Sequence, residues 1–209
     1  MRCAWVSGGV VLGLVLAGTA AAEGIGTLQA LAGGMASGDV DEIEVKAQGQ
    51  KQTIDGDDED LESNFGLAAT YEFSMSPRIT LGPRLAFLTS EGDDSENILR
   101  TVDIGGIARF FFNDGQWRAF GAAGLGATYV MLKNDDTDLE GSGIGYHVLV
   151  GGGVQGDVSD SVGFVAGLYF NYQGISSIEG DAEIRGIKVD AEYKDAVASR
   201  MLLAAGITF

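Results

Sequence analysis

The stretch Ala196–Phe209, AVASRMLLAAGITF, decides the fold of this chain. Counting back from Phe209, apolar side chains fall on alternate positions at Ile207, Ala205, Leu203 and Met201. Between them lie Thr208, Gly206, Ala204 and Arg200, with Leu202 the exception. A period of two sends successive side chains to opposite faces of an extended strand, so this strand meets two different environments.

The same rhythm recurs upstream. Phe65, Leu67, Ala69, Tyr71 and Phe73 oppose Gly66, Ala68, Thr70, Glu72 and Ser74, and a tight turn at Met75–Arg78 comes next. From Ile79 the alternation resumes, with Leu81, Pro83, Leu85 and Phe87 against Thr80, Gly82, Arg84 and Ala86. Pro83 is a blemish there, because it cannot donate to a ladder. Further strands are expected at Leu99–Phe112, Trp117–Leu132, Ile144–Asp157 and Val162–Tyr172. Asp114-Gly115 supplies a hairpin signal between the first two of these. Thr27–Ser37, rich in Gly and Ala, is the strand with the poorest sidedness.

The sequence thus predicts an all-β fold of eight antiparallel strands whose connections alternate long and short. The long ones are Gly38–Asn64, Glu91–Asn97, Lys133–Gly143 and Gln173–Asp195. Strands of roughly 9 to 11 residues cross a bilayer when tilted, and only a closed barrel sits in lipid without a raw edge. Aromatic residues at the strand ends, among them Tyr71, Phe73, Phe110, Phe112, Trp117, Phe170, Tyr172 and Phe209, suit the two membrane interfaces. A secreted, lipocalin-like barrel is the soluble alternative. It would keep charges outside, whereas here the charged and small strand residues share one face.

The first 22 residues read as an export signal. Arg2 is the only charge before Glu23, Ala4–Ala17 is apolar, and Ala20-Ala21-Ala22 offers small residues for cleavage. A membrane-spanning helix over Cys3–Ala22 is the alternative; its glycines and small-residue exit favour cleavage. Residues 23–209 would then form one barrel domain. The one cysteine, Cys3, lies in the leader, which excludes disulfides and thiol catalysis from the remainder.

Of 209 residues, 33 are Gly and 2 are Pro, and the net charge is −17. Nucleic acid is excluded as a partner, since binding it needs a basic surface. The four long connections hold 24 of the 30 acids and six of the 13 bases, so they carry the entire net charge. On the strands, Glu72, Arg84, Asp103, Arg109, Arg118 and Arg200 fall on the inward face as a candidate lumen network. Charges enclosed in a narrow bore must pair, because an isolated buried charge is too costly. Arg84 lies across the Met75–Arg78 turn from Glu72, and Arg109 shares a strand with Asp103, so these are the expected pairs. The alternative is a narrow polar pore, with Gly124, Gly151 and Gly167 leaving free space.

From about Thr27 to Phe209 the chain resembles the small eight-stranded outer-membrane barrels of the OmpA, OmpX and OmpW type. The likeness rests on the export signal, the strand count, the turn rhythm and Phe209. It implies an up-and-down transmembrane β-barrel in the bacterial outer membrane, with its long connections outside and its short turns in the periplasm. It implies Phe209 as part of the signal read by the barrel-assembly machinery. Outer-membrane lipid and lipopolysaccharide are the implied partners, bridged by divalent cations at the acidic loops, or else a basic partner binds there. A merely solvated, repulsive rim is the bland alternative. Asp55–Asp60 lacks the Gly and the closing Glu of a calcium loop.

Some barrels of this type are lipid A deacylases with a His-x-Ser pair, but Leu149 stands two residues after His147 where the Ser should be. The expectation is therefore a structural or surface-interaction barrel rather than an enzyme, with no catalytic residues, cofactor or metal site. His147 is expected to fill the lumen as a hydrogen-bonding group.

Overall fold

The computed structural model describes residues 24–47, 50–55, 59–92, 97–134, 139–184 and 187–209. The expected export segment lies outside them, as do Asp57, Asp58, Asp93, Asp94, Glu96, Asp135, Asp136, Asp138 and Arg185. Ten strands are formed: β1 Gly24–Asp39, β2 Glu42–Ala47, β3 Gln50–Asp55, β4 Glu59–Ser76, β5 Ile79–Gly92, β6 Asn97–Phe111, β7 Trp117–Asn134, β8 Leu139–Asp157, β9 Gly163–Ile184 and β10 Ile187–Thr208.

Eight of them close a ring. β1 pairs β4, each strand from β4 to β9 pairs the next, and β10 pairs back onto β1, all antiparallel. The β1–β10 seam runs from Thr27↔Thr208 to Asp39↔Val197, with an irregularity between Gly33 and Met35. Phe209 extends it: Gly26 N donates to Phe209 O at 2.8 Å, and Phe209 N donates to Gly26 O at 2.9 Å. The Phe209 ring lies flat on Gly26, where a Cβ would stand 2.6 Å from it. That contact needs glycine.

Polarity is inverted relative to a soluble sheet. Leu67, Ile104, Leu125, Ile144, Val150, Leu203 and Ile207 are each at least half exposed on the outer wall. Polar Thr27, Gln29, Asn64, Thr70, Thr101, Asn171 and Gln173 are buried within. Aromatic pairs sit where the short turns gather: Tyr71–Phe73 at 5.1 Å, Phe110–Phe112 at 5.4 Å and Trp117–Phe164 at 4.7 Å. Amphipathic rings in such positions suit a membrane boundary.

The long connections differ from the sequence expectation. Most of Gln173–Asp195 is strand, since β9 and β10 run 22 residues each and reach well past the apolar belt. Gly38–Asn64 holds the β2–β3 hairpin, and β2 pairs the extension of β10 from Val189↔Ala47 to Lys194↔Glu42. Charges end the sequence-based strands because they break the apolar alternation. Backbone pairing continues above the belt regardless, because the extended strands still satisfy each other's N–H and C=O groups there.

Candidate functional site: a filled lumen and an acidic crown

Five of the six expected lumen charges are enclosed. Glu72, Arg84, Asp103, Arg109 and Arg200 are each at most 4 % exposed. Nearest the short turns, Glu72 accepts from Thr70 Oγ1 at 2.9 Å and Thr80 Oγ1 at 2.5 Å. Arg109 Nη2 lies 3.2 Å from Glu72 Oε1. The sequence expectation was Arg84 with Glu72 and Arg109 with Asp103; the register instead brings Arg109 to Glu72. Thr80 faces Arg109 on the next strand, so Arg109 comes up beside the carboxylate. Gly82 lets β4 and β5 approach closely here, where a Cβ would run into the Tyr71 carbonyl.

Asp103 is the second hub, and its direct donors are neutral. Thr128 Oγ1 and Gln173 Nε2 donate to its Oδ1 at 2.7 Å each, and Asn171 Nδ2 donates to its Oδ2 at 3.0 Å. Arg200 Nη1 donates to Gln173 Oε1, and its Nε donates to Ser90 Oγ at 2.9 Å. Ser90 passes the chain on to Asn64 Oδ1 at 2.6 Å. His147 is 1 % exposed, with Nδ1 3.2 Å from Ala127 O and 3.9 Å from Asp103 Oδ1.

Sequence reasoning named the charges here and missed Asn64, Thr70, Thr80, Ser90, Thr128, Asn171 and Gln173 as their partners. Their signal was the parity of small polar residues on the inward face.

Arg118 stands apart, at the mouth beside the short turns. Its side chain is 22 % exposed, it pairs with Asp157 at 3.7 Å, and its guanidinium lies 4.6 Å from the Phe111 ring centroid. Phe111 meets Phe120 edge-on at 6.0 Å, and Arg109 sits 5.0 Å from the Phe120 centroid on the far side. Two arginines thus bracket two phenylalanines across the bore. Both rings are 2 % exposed. Above them Leu31, Leu88, Ile107, Leu149, Val165, Tyr169 and Leu202 join one buried cluster. Val130, Ile175, Ile178 and Ala196 form a second. Side chains thus fill the bore at these levels.

The strand extensions build a crown with two unlike faces. Inward lie Ile178, Ala191 and Tyr193. On the opposite face, acids meet acids across the ladder: Glu140↔Asp181, Asp181↔Asp190, Glu179↔Glu192 and Glu192↔Glu44. All of these but Glu140 line an open cleft of about 550 Å³, and Lys46, the rung partner of Asp190 on β2, stands on its wall. The hairpin is tied in by ion pairs, Lys51 Nζ to Glu44 Oε2 at 2.6 Å and Lys194 Nζ to Glu42 Oε1 at 3.4 Å, with Lys194 also bound to Glu44 Oε1. Hydrogen bonds from Lys194 and then Lys51 hold the Glu44 carboxyl down to about 2, while the same bond to Glu44 raises Lys194. Among the described residues, no group of three or more His, Cys, Asp or Glu is arranged to hold a metal ion.

A closed ring of eight antiparallel strands, apolar outside and with its strand charges enclosed, defines the class: a small transmembrane β-barrel of the outer-membrane type. No protein-family model matches the chain, and no curated protein does.

Among solved structures it is similar to the outer membrane protein OprG from Pseudomonas aeruginosa, at 12 % identity and TM-score 0.45 over 87 % of this chain and 95 % of that one. It is similar to Neisserial surface protein A, at 16 % identity and TM-score 0.48 over 88 % and 95 %. The outer membrane protease OmpT from Escherichia coli is a third, at 8 % identity and TM-score 0.45 over 90 % and 97 %. The class assignment rests on the ring and the apolar belt of this chain.

Proposed function

We propose that this protein is an integral outer-membrane barrel, exported through a cleaved segment at residues 1–22, whose acidic crown makes contacts at the cell surface. The barrel is the anchor and the crown is the working face; no step of catalysis is assigned. The reading is carried by the like-charged rungs Glu179↔Glu192 and Asp181↔Asp190, placed on one exposed face above an apolar wall. Like charges directly opposite in a ladder are destabilising. A crown that retains them gains from a cationic counterpart. Divalent cations that bridge these carboxylates to neighbouring lipopolysaccharide phosphates supply one.

The test is retention of the folded protein on lipopolysaccharide-containing vesicles. Calcium should increase it, and chelation should return it to the level seen without cation. Neutralising Glu179, Asp181, Asp190 and Glu192 together should abolish the calcium effect. Retention indifferent to calcium in the unmutated protein would refute the bridging.

A narrow pore is the second reading, and the filled lumen speaks against it. A planar bilayer containing the protein should show little steady conductance. A large, stable open channel would replace the surface-contact reading with the pore.

A further inference from the structure

The bore encloses more positive charge than negative. Among the described residues, Arg84, Arg109 and Arg200 stand there against Glu72 and Asp103. His147 adds no negative charge in either protonation state. A lysine or histidine can shed its proton when buried, but an arginine cannot, so all three guanidinium groups stay cationic. Glu72 serves Arg109. Asp103 is then the carboxylate that acts on both Arg84 and Arg200. Two arginines share one acid, and one positive charge is left over.

Arg84 is the arginine left short. Arg200 at least donates to Gln173 and Ser90. Arg84 is 4 % exposed, its Nη1 is buried with no hydrogen-bond partner, and no carboxylate among the described residues forms an ion pair with it. Besides Asp103, the groups that act on it electrostatically are Tyr169 and Arg109. Both of these also hold a buried donor without an acceptor, the Tyr169 hydroxyl and Arg109 Nε. Donors therefore collect around Arg84, and the neighbouring arginine repels it. Water could complete such hydrogen bonds, but it supplies no charge. An uncompensated buried charge is among the costliest features a fold can carry.

We propose that the bore binds one small inorganic anion of halide size at Arg84, with the Tyr169 hydroxyl as a second donor. Size follows from the surroundings. Leu88, Ile107, Leu149 and Tyr169 belong to one packed cluster that fills the bore, which leaves no place for a sugar or a nucleotide. At the level of Arg84 itself, its ladder partner Gly105 and the next position, Gly126, carry no side chain. The anion balances the third arginine and accepts from groups that otherwise lack an acceptor. It is a structural ion of the closed barrel, separate from the cation contacts of the crown.

The experiment is urea unfolding of the folded protein in lipid vesicles, followed by Trp117 fluorescence. Chloride is raised from 1 to 100 mM against isethionate, so that ionic strength stays constant. Above the dissociation constant, the unfolding equilibrium constant should fall about tenfold for each tenfold rise in chloride, the slope for one ion lost on unfolding. Arg84→Met needs no counter-ion. It should make stability indifferent to chloride, and in chloride-free buffer it should be at least as stable as the unmutated protein. Tyr169→Phe should move the onset of the effect to higher chloride. Crystals grown in bromide should show an anomalous peak beside the Arg84 guanidinium.

Unfolding of the unmutated protein that ignores chloride at constant ionic strength would overturn the anion and leave water as the partner of Arg84. An undiminished chloride slope in Arg84→Met would overturn the site. If that variant does not fold, an unshifted onset in Tyr169→Phe together with no bromide peak at Arg84 would do the same.

Discussion

Replacing Glu72 by Gln removes one charge from the filled end of the lumen and leaves its partner in place. Arg109 is 2 % exposed, so its guanidinium cannot turn to water. At the observed 3.2 Å, an effective dielectric of about 20 gives roughly 5 kcal/mol of attraction that Gln does not supply. Three effects offset the loss. The Gln carbonyl still accepts from one of Thr70 and Thr80, which donate to different carboxylate oxygens, and no carboxylate has to be desolvated. The Phe120 face remains under Arg109, as a contact of about 0.5–2 kcal/mol. The net cost should be about 3–5 kcal/mol, the range for a buried pair broken on one side.

Urea unfolding in lipid vesicles, followed by Trp117 fluorescence, reads this directly, since that ring is exposed on the outer wall. The double variant Glu72→Gln/Arg109→Leu should recover most of the loss, because it leaves no orphaned charge. A single-variant cost below about 1 kcal/mol, or simple additivity in the double variant, would refute the pairing as the source of stability.

The crown should respond to pH from both sides. Glu44 is held near 2 against an ordinary 4.5, so its tie to the hairpin is complete above about pH 4.5 and lost as pH falls toward 2. Lys194 is raised above 10.5, so its share is present below that value and lost as pH climbs past it. Protease cleavage between Glu42 and Asp55 should therefore be slow at about pH 7 and faster near pH 2.5 with an acid-active protease; equal rates would sink the argument. Gly26→Val puts a side chain where the Phe209 ring lies, and deletion of Phe209 removes the ring and two seam hydrogen bonds. Both should lower insertion yield, and normal yields would show the contact to be incidental. Phe111→Ala empties the bracketed pair and strips the ring from beneath Arg118, which should cost about 3–5 kcal/mol in the same urea assay. A loss under about 1 kcal/mol would mean that the mouth is not packed as described.

Much of this molecule is legible in the sequence because a barrel strand carries its own address. Each residue on a strand such as Phe65–Ser74 faces either lipid or lumen, and parity alone says which. That is how Glu72, Arg84, Asp103, Arg109 and Arg200 could be assigned to the interior from their positions, and how the eight strands could be counted. β1 was the hardest strand to read, since Thr27 and Gln29 inside are followed by glycines at an irregular seam.

Register belonged to the tertiary structure. Sequence spacing cannot say which rung of β5 meets which rung of β6, so it places Arg84 with Glu72, whereas the ladder delivers Arg109. Tertiary pairing also made strands of stretches that read as loops. The acids of Glu179–Asp195 hide the periodicity, yet β9 and β10 satisfy each other's backbone groups above the apolar belt as well as within it. Which face each side chain takes was already written in the order of residues, because alternation is a local property of extended backbone. Only the closed sheet decided which side chains meet, because pairing across strands depends on a shear that no single strand encodes.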